Sequence, residues 1–300
     1  MNSDFPLIKH FNPSQVDQFL SEKGAQTEKA LRSYIQRLQC PISGLIDAME
    51  YSLFSGGKRL RPALVLGASD LVGGETDRVL PIACAIEMIH TYSLIHDDLP
   101  ALDNDDFRRG KPTLHKVYGE AVALLAGDGL LTLAFELLAG TGKAEVVAEV
   151  AHSAGVNGMV GGQFLDMDAE GHLVSLETLQ QIHKKKTGAL ICTSLRCGAI
   201  LSNATPEQIQ ALTDYGEHLG LAFQITDDIL NVVGDEKTLG KPVGTDKKHK
   251  KSTYPALLGL EQARQFAYEH VREAIIALES FGDKAEMFRQ LALYVFCRDH

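Results

Sequence analysis

Apolar residues recur at three- and four-residue spacing through almost the whole chain, and no run of alternating residues competes as a strand. That periodicity is the signature of amphipathic helices. It marks ten segments: 15–39, 43–54, 61–73, 78–98, 115–139, 143–160, 175–199, 206–233, 254–280 and 284–297. Several carry start signals. Thr205 precedes Pro206 and Glu207, which puts a capping hydroxyl before a proline at the first helical position. Ser175, Leu176 and Glu177 repeat the pattern. The sequence therefore predicts an all-α fold of about ten helices. No Pro-, Gly- or Ser-rich linker divides residues 1–300, so a single domain is expected.

The remaining bulk properties narrow the function. A net charge of −10 makes a general nucleic-acid or anionic-membrane binder a poor fit, so no nucleic-acid partner is expected. Any anionic ligand must meet a local basic patch or a metal. The most apolar stretch, Ala121 to Gly140, contains Asp128 and Glu136, which argues for a buried core helix over a membrane span. The first fifteen residues carry Asp4, Pro6 and Lys9 and no apolar core, so no leader peptide is expected there. The cysteines, Cys40, Cys84, Cys192, Cys197 and Cys297, are odd in number and irregular in spacing. That disfavours a disulfide framework or a structural zinc site and fits a reducing, cytoplasmic setting.

Two acidic clusters break the apolar pattern. In Asp97-Asp98-Leu99-Pro100-Ala101-Leu102-Asp103, Pro100 lacks an N–H and would clash with the His96 carbonyl, so the helix should end close to Asp98. Asp103 then returns from the following loop. In Asp227-Asp228-Ile229-Leu230-Asn231, positions 227 and 231 lie about 40° apart on one helix face, with Gln224 one turn earlier. Gathered carboxylates are costly unless neutralised. Magnesium is a hard, oxygen-seeking cation that prefers substrate phosphates to all-protein cages, and it fits both clusters.

Basic residues interleave with these clusters. Gly56-Gly57-Lys58-Arg59-Leu60-Arg61 is a turn followed by three cations, suited to close backbone approach and bidentate phosphate contact. Arg108-Arg109 follows the first cluster, Lys184-Lys185-Lys186-Thr187-Gly188 opens an apolar run, and Lys241 with Lys247, Lys248, Lys250 and Lys251 follows the second. His90 lies seven residues before Asp97, nearly aligned with it and about 10 Å away along a helix. The polar loops 104–111 and 235–251 are the expected lids over a bound ligand.

Taken together, these motifs resemble the trans-isoprenyl diphosphate synthases over about residues 40–260. Asp97-Asp98 with Asp103 and Arg108-Arg109 looks like the family's first aspartate-rich motif. Gly56-Gly57-Lys58-Arg59 with Arg61-Pro62 looks like its isopentenyl-site loop, and Gln224 with Asp227-Asp228 like its second aspartate-rich motif. Gly127-Asp128 and Gly162-Gln163 with Asp166 also resemble family features. The resemblance implies a helical bundle around a deep central cavity, usually a homodimer. It implies more than one Mg2+ ion, held by Asp97, Asp103 and Asp227 on an allylic diphosphate. Arg108, Lys186, Thr187, Gln224 and Lys241 would contact that substrate, with Lys186, Thr187 and Gln224 as the catalytic set. Lys58, Arg61, His90 and Arg109 would bind isopentenyl diphosphate. The departing diphosphate is the family's favoured proton acceptor. The family's third aspartate of the second motif is here Asn231, which offers a carbonyl oxygen but no charge. Tyr92 and Ser93 occupy the positions that face the growing chain. A ring five residues before Asp97 resembles bacterial-type farnesyl diphosphate synthases. A geranylgeranyl or short polyprenyl diphosphate synthase, a non-catalytic subunit of a heteromeric synthase, and a structural helical protein are the competing readings.

Overall fold

A computed structural model describes residues 5–38, 42–233 and 251–298. They form α1 (Pro13–Gln36), α2 (Ser43–Leu53), α3 (Leu60–Leu71), α4 (Thr76–Asp97), α5 (Leu114–Tyr118), α6 (Glu120–Gly140), α7 (Ala144–Ala154), α8 (Met159–Asp168), α9 (Leu176–His183), α10 (Ala189–Leu201), α11 (Pro206–Val233), α12 (Tyr254–Leu258), α13 (Leu260–Ala277) and α14 (Glu286–Cys297). A π-helical turn, Lys184–Gly188, joins α9 to α10, and short 3-10 turns precede α1 and α14. The only strands among the described residues are β1 (Phe107–Arg108) and β2 (Lys111–Pro112), an antiparallel pair inside the loop after α4.

The all-α expectation holds, with corrections to the segments. The stretch 115–139 is two helices, because Gly119 takes φ 83° between α5 and α6. The stretch 254–280 divides in the same way at Gly259, φ 81°. The segment 143–160 stops at Ala154, and α8 is a separate helix that the sequence reading did not separate. The long 175–199 segment contains the π turn.

Helix α4 is the central element. Ile82, Ala83, Cys84, Ala85, Ile86, Met88 and Ile89 are all fully buried, so it is covered on every side, by α3 and α6 above all. One core gathers α2, α3, α4, α6 and α7 around Leu53, Leu66, Ile86 and Leu130. A second gathers α1, α3, α10, α11 and α14 around Leu64, Leu195, Tyr215 and Leu291. There the Tyr215 hydroxyl donates to the Phe288 carbonyl at 2.8 Å, which satisfies the polar end of a fully buried ring. A third, smaller core packs Leu179, Leu221, Ile225 and Tyr254 between α9, α11, α12 and α13. By length and composition alone α4 and α6 could each cross a membrane; here they pack against one another. The described cysteines are free thiols, with Cys84 and Cys197 buried.

At the α11–α13 junction, His218 and His270 bring their Nδ1 atoms to 2.9 Å. One proton can occupy that bond. Burial, then His218 and Lys184, push the His270 imidazole down to about 4, against the weaker pull of Glu269 and Glu273. A histidine lowered in the folded state takes up its proton first in the unfolded chain. Its contribution to stability is therefore present above pH 6.5 and is lost as pH falls toward 4. The urea midpoint should drop between pH 7 and pH 4.5, and His270→Phe should flatten that drop. An identical drop in the variant would assign the acid sensitivity elsewhere.

Candidate active site

As the clash at Pro100 dictates, α4 ends at Asp97. The chain turns back at once, and the Asp103 amide donates to the Asp97 carbonyl at 2.9 Å. This returns a second carboxylate to the helix end. The two members of the Asp-Asp pair then part company. Asp98 is buried and receives the Arg108 guanidinium, Nε at 2.8 and 2.9 Å from its two oxygens and Nη2 at 2.6 Å. Arg108 reaches Asp97 only at 3.9 Å. Burial raises the Asp98 carboxyl to about 6 in spite of Arg108. Asp97 is steered by Gln163 of α8, whose Nε2 donates to Oδ1 at 2.6 Å. Burial lifts the Asp97 carboxyl above its ordinary value; Lys186 opposes this, and the neighbouring Asp103 adds to it.

The π turn places the next two residues. A π turn widens the helix by one residue and commonly marks a functional site. Gly162 allows it to sit against α8, since a Cβ there would lie 2.2 Å from the Lys186 backbone nitrogen. Lys186 thereby reaches Asp166 at 2.6 Å. Thr187 donates its hydroxyl proton to Gln224 Oε1 at 3.0 Å. The direction of that bond is fixed from behind. Gln224 Nε2 donates to Asp228 Oδ1 at 3.1 Å, and the Tyr254 amide donates to Asp228 Oδ2 at 3.0 Å. The carboxylate can only accept, so the Gln224 carbonyl must face Thr187. The relay commits the Thr187 proton and leaves its oxygen lone pairs toward the cavity side.

Lys251 supplies a cation beside the first cluster. Its Nζ lies 3.2 Å from Asp103, 3.5 Å from Asp166 and 3.6 Å from Glu170. Burial acts to lower its ammonium, and the carboxylates of Asp166 and Asp103 more than offset that, holding it above its ordinary value. Asp166 ends below the usual carboxylate range, because Lys186 and Lys251 outweigh the effect of its burial.

Arg61, His90, Tyr92, Ser93, Asp97, Lys186 and Thr187 all line one cavity of about 360 Å3, whose other walls include Met159, Val160, Phe164 and Met167. Its lining joins charged and polar groups, among them Arg61, His90, Asp97, Gln163 and Lys186, to these apolar side chains. Burial holds the His90 imidazole well below 6.5, with Arg61 and Arg109 adding to the shift, so it is neutral. Burial lowers the Arg61 guanidinium to about 10, leaving it a cation, and its buried Nε has no hydrogen-bond partner among the described residues. A buried donor without an acceptor, inside a ring of guanidiniums, is an unmet demand for an anion.

The other expected residues are placed less centrally. Arg109 folds onto the glycine turn, donating to the Gly56 carbonyl. Gly57 has φ 112°, and a Cβ there would sit 2.6 Å from the Arg109 guanidinium carbon, so both conformation and space require glycine. Lys58 lies outside the cavity, 5.0 Å over the Tyr294 ring, in a separate hollow that also holds Arg298. Asp227 is on α11, 3.5 Å from Arg298. Asn231 is buried beside it on the helix. Lys241 and most of the 235–251 loop lie outside the described residues. Gln163 and Asp166 were visible only through the family resemblance, and Lys251 only as one lysine among several. Arg298 carries no motif and was missed.

Among the described residues no three His, Cys, Asp or Glu side chains are close enough to hold a metal unaided. The donor set nevertheless suits magnesium. Asp97 and Asp103 offer carboxylate oxygens at one helix end, the donor type that magnesium prefers, and Lys251 stands beside Asp103.

The sequence profile of polyprenyl synthetase matches residues 43–291, and the chain belongs to that family. It is 47% identical over 293 residues to the farnesyl diphosphate synthase of Geobacillus stearothermophilus, covering 95% of this chain and 98% of that one. It is 48% identical over 291 residues to a chloroplastic geranylgeranyl pyrophosphate synthase of Capsicum annuum, covering 94% and 78%. The crystal structure of a polyprenyl synthase from Caulobacter crescentus, complexed with calcium and isoprenyl diphosphate, superposes with TM-score 0.88 at 29% identity, covering 95% of this chain and 98% of that one.

Proposed function

We propose that the chain is a farnesyl diphosphate synthase. It joins isopentenyl diphosphate head-to-tail, 1′ to 4, to dimethylallyl and then geranyl diphosphate, releasing diphosphate. One observation carries the reading: charged groups of both signs, Arg61, Asp97 and Lys186, line the same cavity as the apolar side chains of Leu94, Leu102, Met159, Val160, Phe164 and Met167. Such a site suits a ligand with a diphosphate head and a hydrocarbon tail. The full-length identity to a farnesyl diphosphate synthase supports it.

Asp97, Asp103 and Asp227 would hold magnesium, which when bound stabilises charge on the leaving diphosphate as a Lewis acid. The protein's own groups do the rest. Lys186 faces the departing charge from the π turn. A unit-charge contact at 4 Å is worth about 4 kcal/mol at an effective dielectric near 20, and each ~1.4 kcal/mol is about tenfold in rate. Arg108, tied to Asp98, adds to that field. Thr187 turns its lone pairs toward the allylic carbon as positive charge develops there. Arg61, neutral His90 and Arg109 bind isopentenyl diphosphate, and Lys58 leaves its place over the Tyr294 ring to join them. The double bond of that substrate attacks the allylic carbon and a proton is lost to the released diphosphate.

Helices α3 and α10 each contribute to two of the cores, which supports one domain over residues 1–300. Leu124 and Leu125 of α6 are about half exposed, and an apolar helix face of this kind supports a homodimer. Free thiols support a cytoplasmic setting.

The buried Tyr92 ring favours a fifteen-carbon product over a geranylgeranyl one. Wild-type protein with Mg2+, labelled isopentenyl diphosphate and geranyl diphosphate should yield farnesyl product, lost with EDTA. Tyr92→Ala should lengthen it. Longer products from the wild type would overturn the farnesyl assignment, and no condensation with any allylic starter would overturn the enzyme.

A further inference from the structure

Tyr92 does not stand alone in the cavity wall. His96 is one turn further along α4, and the two rings meet edge-to-face with centroids 5.6 Å apart. The imidazole is in turn held by α6. Its Nε2 lies 3.0 Å from the Leu124 carbonyl, which can only accept, so Nε2 carries a proton. Asp128 Oδ1 is 3.9 Å from the same nitrogen. The ring fits there only because residue 127 has no side chain. A Cβ at Gly127 would lie 2.2 Å from His96 Nε2 and 2.5 Å from Cδ2. Three features thus converge: a slot in α6, an imidazole anchored in it, and an aromatic ring leaning on that imidazole.

We propose that His96, seated in the Gly127 slot of α6, is a positioning residue for product length that braces the Tyr92 ring across the cavity. The inference rests on the prenyl-synthase reading above and adds the means by which α6, remote from the diphosphate groups, controls the cavity. An aromatic ring without such a brace can change its χ1 rotamer when a growing chain presses on it, whereas one packed edge-to-face against a fixed ring cannot do so without losing the contact.

The test is a product-length cycle, with folding of each variant checked by thermal unfolding. His96→Ala and Gly127→Ala should each raise the ratio of twenty-carbon to fifteen-carbon product about tenfold or more. Their double variant should match His96→Ala, because the added methyl acts only by displacing the imidazole. His96→Phe, which keeps a ring against Tyr92, should restore part of the wild-type ratio. Lower turnover with an unchanged ratio in both single variants would overturn the proposal, as would additive effects in the double variant. Wild-type protein that releases twenty-carbon product would instead defeat the farnesyl reading. The brace would then be judged separately, by whether His96→Ala lengthens the product further.

Discussion

Replacing Asp97 by alanine is expected to lower turnover about a thousandfold while leaving the unfolding midpoint unchanged or raised. The rate effect follows from losing a ligand whose contribution to stabilising leaving-group charge is about 4 kcal/mol, at roughly 1.4 kcal/mol per decade. The stability effect follows from where the carboxylate sits. Asp97 is mostly buried beside Asp103, and burial has already pushed its carboxyl upward. Removing it relieves a strained group and frees Gln163. Functional sites commonly hold such unfavourable charge. Steady-state kinetics alongside denaturant unfolding separate the two effects. Near-normal turnover in folded Asp97→Ala protein would remove the metal assignment. Asp227→Ala should act in the same direction, and its carboxylate is more exposed.

The opposite result is expected two residues from the glycine turn. Arg59→Met should cost about 3–5 kcal/mol of stability, a large part of the ~5–15 kcal/mol that holds a domain together. The Arg59 and Glu87 side chains are each 3% exposed and meet at 2.6 Å. The guanidinium also donates to Glu28 at 2.9 Å and to the Leu53 carbonyl at 2.6 Å. Truncation leaves Glu87 buried without this partner and unties α2, α3 and α4 at one point. Glu87→Gln in the Arg59→Met background should recover part of the loss, since it removes the stranded charge. A shift below about 1 kcal/mol in the single variant would show that water reaches this pair. Arg59 and Arg61 are thus neighbours in sequence with separate duties, one tying helices together and one facing the cavity.

That division was not legible in the string Lys58-Arg59-Leu60-Arg61. A helix beginning at Leu60, with Arg59 at φ 50°, decides which cation turns inward. What was legible rests on local rules. The apolar period gave the helices, and Pro100 gave the end of α4. The spacing of Asp97, Asp103, Gln224 and Asp227 marked the two acidic clusters. Helix breaks at Gly119 and Gly259 were hidden because the apolar period continues across them. The π turn at Lys184–Gly188 was hidden for a related reason: it depends on Gly162, more than twenty residues away, leaving room. Lys251 looked like one solvated lysine of a run, and only the fold brings it between Asp103 and Asp166. Pairings over such separations have no local signature. Proximity in sequence suggests an Asp–Arg108 fork, but that it takes Asp98 and leaves Asp97 toward the cavity comes from the turn at Pro100.

Calorimetric titration of Mg2+ into the protein, with and without inorganic diphosphate, tests the proposal that the acidic helix ends and the cations beside them hold a diphosphate through magnesium. Magnesium should bind weakly alone and much more tightly with diphosphate, and Asp97→Ala should abolish the gain. Equal Mg2+ affinity in the two titrations, or an undiminished gain in Asp97→Ala, would contradict it.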